Sequence, residues 1–395
     1  MTTTIDNEHK TFNVPNLRFP EFEGEWGKTK LKEISKFSKE RLKSIELSCS
    51  NYVTTENMLQ DYQGVVSATN LPTNTNVVKF SKGDVLLSNI RPYLKKVWHA
   101  DRNGGCSTDV FVFKALPICN SNFLHHVIAN DRFIKFAMSG AKGVKMPRGD
   151  KEQMITYKVG LPCIEEQKKI AVFLSLIDER ISTQNKIIED LKKLKSAIIE
   201  VHYKQCEKHN VQVADLGEPF NAGNLSKEDL SETGTRCILY GELFTTYGEI
   251  INEVINHTNT LKGMTLSKKG DLLFPSSTTV DAISLIAPSV INVDNVVLGG
   301  DMFGIHIDSN YNAQYLSYYF NHIAKRLLAK YAKGSTIIHL HYKDIEQAEL
   351  LLPNLDEQNR MANCLMSLDD KIGVETAFLN LQICKKNYLL RQMFI

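Results

Sequence analysis

One stretch of this chain occurs twice. LPCIEEQKKIAVFLSLIDERI, Leu161–Ile181, returns as LPNLDEQNRMANCLMSLDDKI, Leu352–Ile372, displaced by 191 residues without a gap. Eight of the 21 paired positions are identical: Leu161/Leu352, Pro162/Pro353, Glu166/Glu357, Gln167/Gln358, Ala171/Ala362, Leu174/Leu365, Asp178/Asp369 and Ile181/Ile372. Glu165/Asp356, Lys169/Arg360 and Arg180/Lys371 keep their charge. An ungapped repeat of this quality marks a tandem architecture. It divides the chain into two halves, each a long variable block followed by a helix.

The helix reading follows from spacing. No Pro or Gly interrupts Glu165–Lys208. Ile170, Leu174, Ile177, Ile181, Gln184, Ile188 and Leu191 recur at alternating intervals of four and three. That is a heptad seam with one polar member. The second copy repeats it as Met361, Leu365, Leu368, Ile372, Glu375, Leu379 and Gln382, with polar Glu375 at the position of Gln184. Pro stands before each helix, and the acids Glu165, Glu166, Asp356 and Glu357 suit its positive N-terminal end. A single helix of this length far exceeds the usual ~11–12 residues. The reading is therefore a two-helix coiled coil rather than two ordinary core helices. A repeat that pairs with itself does so about a two-fold axis, so the helices are expected to run antiparallel. At ~1.5 Å per residue each would span ~63 Å, roughly two turns of B-DNA.

The variable blocks read as α+β domains. Residues 45–118 hold strand-length apolar runs, of which NYVTTENM, GVVSATN, VVKFSKGDVLLSNI and GCSTDVFVFKAL are the clearest. KGDVLL (Lys82–Leu87) matches KGDLLF (Lys269–Phe274), a tight turn feeding a strand. GCSTDVFVF (Gly105–Phe113) matches LGGDMFGIHI (Leu298–Ile307), with Asp109 against Asp301. Each block then supplies a helix, Asn122–Met138 and Ala313–Tyr331, followed by Ala-Lys-Gly read as a helix stop. The segments Asn13–Leu31 and Val211–Gly217 each read as opening a domain, and each block is expected to hold a curved sheet.

Charge separates the blocks. Net charge is only +2, which excludes a uniformly basic nucleic-acid binder. Residues 13–160 carry 22 Lys+Arg against 14 Asp+Glu, whereas residues 211–350 carry 10 against 16. The first block is thus the better partner for a polyanion. No apolar run approaches the ~20 residues of a membrane span, and no signal peptide is visible. The eight scattered cysteines contain no CxxC pair and read as reduced thiols of a cytoplasmic protein.

The alternation of domain, LPxxEQ helix, domain, LPxxEQ helix resembles the specificity (S) subunits of type I restriction–modification systems. The opening NVPNLRFPEFEGEW is also similar to theirs. The resemblance implies an α+β fold: two tandem α/β target recognition domains separated by two long helices that form an antiparallel coiled coil, in a pseudo-two-fold internal repeat. The expected division is a flexible leader at 1–13, target recognition domain 1 at 14–160, a central spacer helix at 161–210, target recognition domain 2 at 211–350 and a C-terminal spacer helix at 351–395. Each domain would read half of a split, asymmetric DNA sequence. The helices would set the spacing and dock two modification (methyltransferase) subunits. S-adenosylmethionine is expected on those partners and no cofactor in this chain. Restriction (motor/nuclease) subunits would join them.

Loop chemistry indicates where DNA would be met. Arg91, Tyr93, Lys95 and Lys96 follow a strand, and Lys142, Lys145, Arg148 and Lys151 follow a helix. In the second block the equivalent places are polar: Ser276, Ser277, Thr278 and Thr279, then Lys333, Ser335, Thr336, His339, His341 and Lys343. Cations meet phosphates and short polar side chains meet base edges; Arg91 and Arg148 could read guanine. Other patterns fall away. His339-x-His341 lacks a third and fourth ligand, so no metal site is expected. Glu166-x-Lys168 has the look of a nuclease pair but lies on the heptad helix without a partner strand. Neither a phosphate loop nor the Asn/Asp-Pro-Pro-aromatic segment of amino-methyltransferases occurs. A non-catalytic DNA-binding subunit is therefore expected; a stand-alone DNA-modifying enzyme and a structural coiled-coil adaptor with protein-binding end domains are the rival readings.

Overall fold

The repeated Lys-Gly-Asp turns start the central strand of each domain. In the computed structural model, which describes residues 13–395, Gly83 and Gly270 adopt φ of 91° and 94°. The Asp84 and Asp271 carboxylates accept from the Ser81 and Lys268 amides at 2.8 and 2.7 Å. Each turn releases a strand, Val85–Ser88 or Asp271–Pro275, that is buried throughout. Alternate side chains of these strands enter different cores, as the period of two requires. Val85 and Leu87 face the helices, whereas Leu86 packs with Val53, Phe80 and Trp98. Leu272 and Phe274 face helices, whereas Leu273 packs with Ile238 and Leu298.

The described chain forms two units, 13–186 with Ala377–Ile395, and Ile187–Thr376. In the first, Ser35–Phe37, Val110–Ala115, Val85–Ser88 and Val97–His99 form a four-stranded antiparallel sheet in that order. A second sheet runs Arg41–Lys43, Asn76–Phe80, Gly104–Cys106, Tyr52–Val53, its last pair parallel. The other unit enlarges the same plan to two five-stranded sheets. Its first runs Gly217–Asn221, Met302–Ile307, Asp271–Pro275, Ser289–Ile291, Ile250–Ile251. Both domains open and close through one antiparallel pair, Gly27–Lys30 with Lys158–Leu161 and His209–Gln212 with Glu349–Leu352. Each domain thus has two principal sheets where one curved sheet was expected. The leader expected over 1–13 lies outside the described residues except for Asn13.

Four local expectations are corrected. GVVSATN forms no strand and makes only the Met58↔Val65 bridge. The helix expected over 122–138 is two, Ser121–Ile128 and Asp131–Ser139, because Asn130 turns extended and its side chain caps the second. Likewise Ala313–His322 is separate from Lys325–Leu328 and a 3₁₀ turn at Ala329–Tyr331. Gly143 and Gly334 do not stop helices; they turn the hairpins described below.

The two long helices are Ile164–Gln205, 42 residues, and Leu355–Met393, 39 residues. In the first unit Ile170, Ala171, Leu174 and Ile177 share a core with Leu389, Leu390, Met393 and Phe394. The Lys386 ammonium, nearly buried, meets the Asp178 carboxylate at 2.5 Å. In the second unit Lys195 meets Asp369 at 2.7 Å and His202 meets Glu357 at 2.9 Å. Rising numbers on one helix pair with falling numbers on the other, so the segments are antiparallel there. Ile170, Leu174, Ile177, Gln184, Ile188, Met361 and Leu365 of the seam are buried; Ile181, Leu191, Leu368, Ile372, Glu375, Leu379 and Gln382 are half-buried.

Candidate nucleic-acid interface

At its C-terminal end each central strand runs into a loop that a hairpin from the end of the domain clamps. In the first domain the Asn89 amide donates to the Asp109 carbonyl at 2.8 Å, and the Gly149 amide donates to the Asn89 carbonyl at 3.1 Å. In the second the Ser276 amide donates to the Asp301 carbonyl at 2.8 Å, and the Leu340 amide to the Ser276 carbonyl at 2.9 Å. Lys142 and Arg148 exchange two backbone bonds of 2.9 Å each; Lys333 and His339 do the same at 2.9 and 2.7 Å. Arg148 bridges to Ile90, and His339 pairs with Ser277. The two frames are therefore equivalent bond for bond.

The hairpins close through glycine. Gly143 and Gly334 have φ of 95° and 112°, where other residues are strained. A Cβ on Gly334 would also lie 2.1 Å from the Ile337 carbonyl oxygen. Beyond each glycine the tip is exposed, as Val144, Lys145 and Met146 or as Ser335, Thr336 and Ile337. On the strand side Arg91 and Lys95 hold left-handed backbone at φ 50° and 53°, flanking the turn Pro92–Leu94. Such clustered strain in non-glycine residues is typical of functional loops.

The frame unites loops that are distant in sequence. Those at Arg91–Lys96 and Ala141–Lys151 become one site, joined by the Arg91 amide on the Pro147 carbonyl at 2.8 Å. Those at Pro275–Thr279 and Lys333–Lys343 become the other. Side chains within them part company. Lys95 meets Asp131 at 2.7 Å, Lys96 donates to the Thr55 carbonyl at 2.6 Å, and Lys151 lies over the Phe37 and Phe111 rings. Lys142 stays exposed while meeting Asp150, whose carboxyl it holds below the usual range. Tyr93, Lys145 and Arg148 are exposed, and Arg91 is half-buried. In the second site Ser276 and Ser277 are buried, Thr278 is half-buried, and Thr279, Ser335, Thr336, His339, His341 and Lys343 are exposed. Lys333 reaches Asp344 at 2.5 Å and holds that carboxyl below the usual range.

Sequence reading missed two carboxylates. Asp109 stands 3.5 Å from the Arg148 guanidinium, and Asp301 stands 4.0 Å from the His339 ring. Their match within the GCSTDVFVF and LGGDMFGIHI segments was the available signal. Among the described residues the metal-capable trio is His125, His126 and Asp178, whose ligand atoms lie within 4.8 Å of one another. Lys386 already holds Asp178, so a second cation there would face the ammonium. The equivalent position in the other unit carries Tyr318, whose hydroxyl donates to Asp369 at 2.5 Å. No helix among the described residues is long and apolar enough to cross a membrane.

The duplicated domains, long helices and twin hairpin frames define a repeat-built protein with two equivalent candidate surfaces. Residues 23–193 and 207–383 both match the family described as type I restriction modification DNA specificity domain. The chain belongs to that family of type I specificity subunits. It is 24% identical over 265 residues to the type I restriction enzyme MjaVIII specificity subunit of Methanocaldococcus jannaschii, covering 61% of this chain and 62% of that protein. It is 24% identical over 266 residues to the putative type I restriction enzyme MjaX specificity subunit of the same organism, covering 61% and 59%. The matches thus span under two thirds of either relative. The crystal structure of the type I restriction-modification system S subunit from M. genitalium has a TM-score of 0.59 at 14% identity, covering 97% of this chain and 99% of that one. A chain from a solved type I R-M system has a TM-score of 0.54 at 17% identity, covering 93% and 96%. At those identities the likeness is one of fold.

Proposed function

We propose that this chain is the DNA sequence-recognition subunit of a type I restriction–modification complex. Each domain reads one half of a bipartite, asymmetric target through its hairpin frame. The antiparallel helices set the distance between the halves and dock the adenine-methyltransferase subunits, which carry S-adenosylmethionine. Restriction subunits join through that complex. The chain itself is non-catalytic and works in the cytoplasm.

One observation carries this reading: the same backbone frame recurs in both domains beneath different exposed side chains. A fixed frame with exchangeable side chains is what two sequence readers built by duplication require, since backbone bonds position and side chains specify. Genome-wide adenine-methylation mapping in cells with and without the chain is the test. A split motif that depends on the chain is expected, and replacing residues 14–160 by another such block should alter one half only. Absence of any chain-dependent motif rejects the proposal; absence of sequence-selective DNA binding at every salt concentration favours the adaptor reading.

A further inference from the structure

The Asp109–Arg148 and Asp301–His339 pairs occupy matching positions on the two frames. Asp109 and Asp301 each accept, through their backbone carbonyls, the amide that ends the central strand. Arg148 and His339 each occupy the last bonded position of the hairpin and bridge to the next residue of that loop. All four side chains reach solvent: Arg148 and Asp109 are 58% and 36% exposed, His339 and Asp301 46% and 42%. The pairs are loose, at 3.5 and 4.0 Å, beyond an ordinary charged hydrogen bond. Exposed pairs of that kind contribute little to stability, so folding alone does not explain why both frames hold one. Their chemistry is also wrong for a simple phosphate grip, because a carboxylate repels phosphate. A two-stranded hairpin does fit the major groove.

We propose that each acid–cation pair is the base-reading couple of its domain and recognises a guanine–cytosine pair. In the major groove guanine presents the O6 and N7 acceptors, and its paired cytosine presents an N4 donor. Arg148 donates to guanine while Asp109 accepts from the cytosine amine. His339 and Asp301 divide the same roles in the second domain, with a shorter donor. The carboxylate refuses both phosphate and a base edge that offers only acceptors, which makes Asp109 and Asp301 specificity-determining residues. This rests on the DNA-reading function proposed above.

The test is adenine-methylation mapping in cells whose complex carries Asp109→Asn, Arg148→Ala, Asp301→Asn or His339→Ala. Asp109→Asn and Arg148→Ala should relax the same guanine–cytosine position by about tenfold, in the half read by residues 14–160. Asp301→Asn and His339→Ala should relax one such position in the other half. The unaffected half of each motif reports that the chain is folded and assembled. The proposal is overturned if the motif is unchanged, if paired variants relax different positions, if the relaxed position is adenine–thymine, or if methylation falls equally at all sequences. A split motif that ignores all four substitutions sinks the couples alone. Absence of any chain-dependent motif in the wild type rejects the function itself, and the couples with it.

Discussion

Glutamine is the residue that best explains why the repeated stretch is repeated. Gln167 donates from Nε2 to the Pro162 carbonyl at 2.9 Å and accepts the Asn120 amide on Oε1 at 2.8 Å. Gln358 makes the same two bonds, to Pro353 at 2.8 Å and from Asn312 at 3.0 Å. Both side chains are buried, and each latches a long helix to the cap of a short one. Replacing Gln167 with Ala leaves a buried carbonyl and a half-buried amide without these partners, at a cost of about 1–3 kcal/mol. Denaturant unfolding of Gln167→Ala should show this as a lower midpoint with an unchanged slope; an unaltered midpoint would remove the latch from the account. The neighbouring identity, Glu166/Glu357, diverges in use. Glu166 is buried and receives Arg18 at 2.8 Å on each oxygen and Trp26 at 3.2 Å, whereas Glu357 pairs with His202 and Arg360.

At the scale of elements, the helix pair is held by apolar seams and by two buried ammonium groups. Lys386 and Lys195 are offset by the repeat distance of 191, and each faces the aspartate that the repeat keeps, Asp178 or Asp369. A buried cation deprived of its partner is costly. Asp178→Ala should therefore destabilise the first unit by about 3 kcal/mol, whereas Asp178→Ala combined with Lys386→Met should restore most of the loss. A double variant no more stable than the single one would show that the pair is not the anchor. The seam tolerates Gln184 and Glu375; Glu375 is held half-buried and pairs with Lys371 one turn earlier. The hairpins obey another rule. Their frame is made of backbone bonds, so side chains at the tips can vary without altering the fold.

At the scale of the whole molecule the two units are expected to differ in their response to acid. Six residues after the capping asparagine, the first unit places His126 where the second places Tyr318. Burial and then the Lys386 charge push the His126 imidazole down to about 3, and burial likewise lowers His125 and His99. A depressed histidine gives stability that is complete above its ordinary value of 6.5 and is lost as pH falls towards its folded value. In the second unit burial pushes Glu249 up, but His322 and Lys195 outweigh it and hold the carboxyl down at about 2. That stability persists above 4.5 and is lost only as pH falls from there towards 2. Hydrogen exchange between pH 6.5 and 4.5 should thus show Ser121–Ile128 losing protection before Ala313–His322, and His126→Tyr should narrow the gap. Simultaneous loss, or the reverse order, would refute this assignment.

Much of the architecture was legible without coordinates. The heptad seam, the long helices, the Lys-Gly-Asp turns and the tandem order rest on periodicity and turn chemistry, which act over a few residues and are written locally. The antiparallel sense followed from the symmetry of a repeat pairing with itself. The split helices were not legible, because Asn130 as a cap competes with a continuous apolar pattern and only packing decides between them. Nor was the site. Arg91 and Arg148, or Ser277 and His339, become neighbours through strand register between distant segments. The same register buries Ser276 and Ser277, draws Lys95, Lys96 and Lys151 onto the domain, and leaves Arg148 exposed beside Asp109. Sequence by itself determined that there are two recognition blocks on a helical pair. Tertiary structure alone decided which side chains those blocks present, because exposure and pairing depend on long-range contacts that no local pattern encodes.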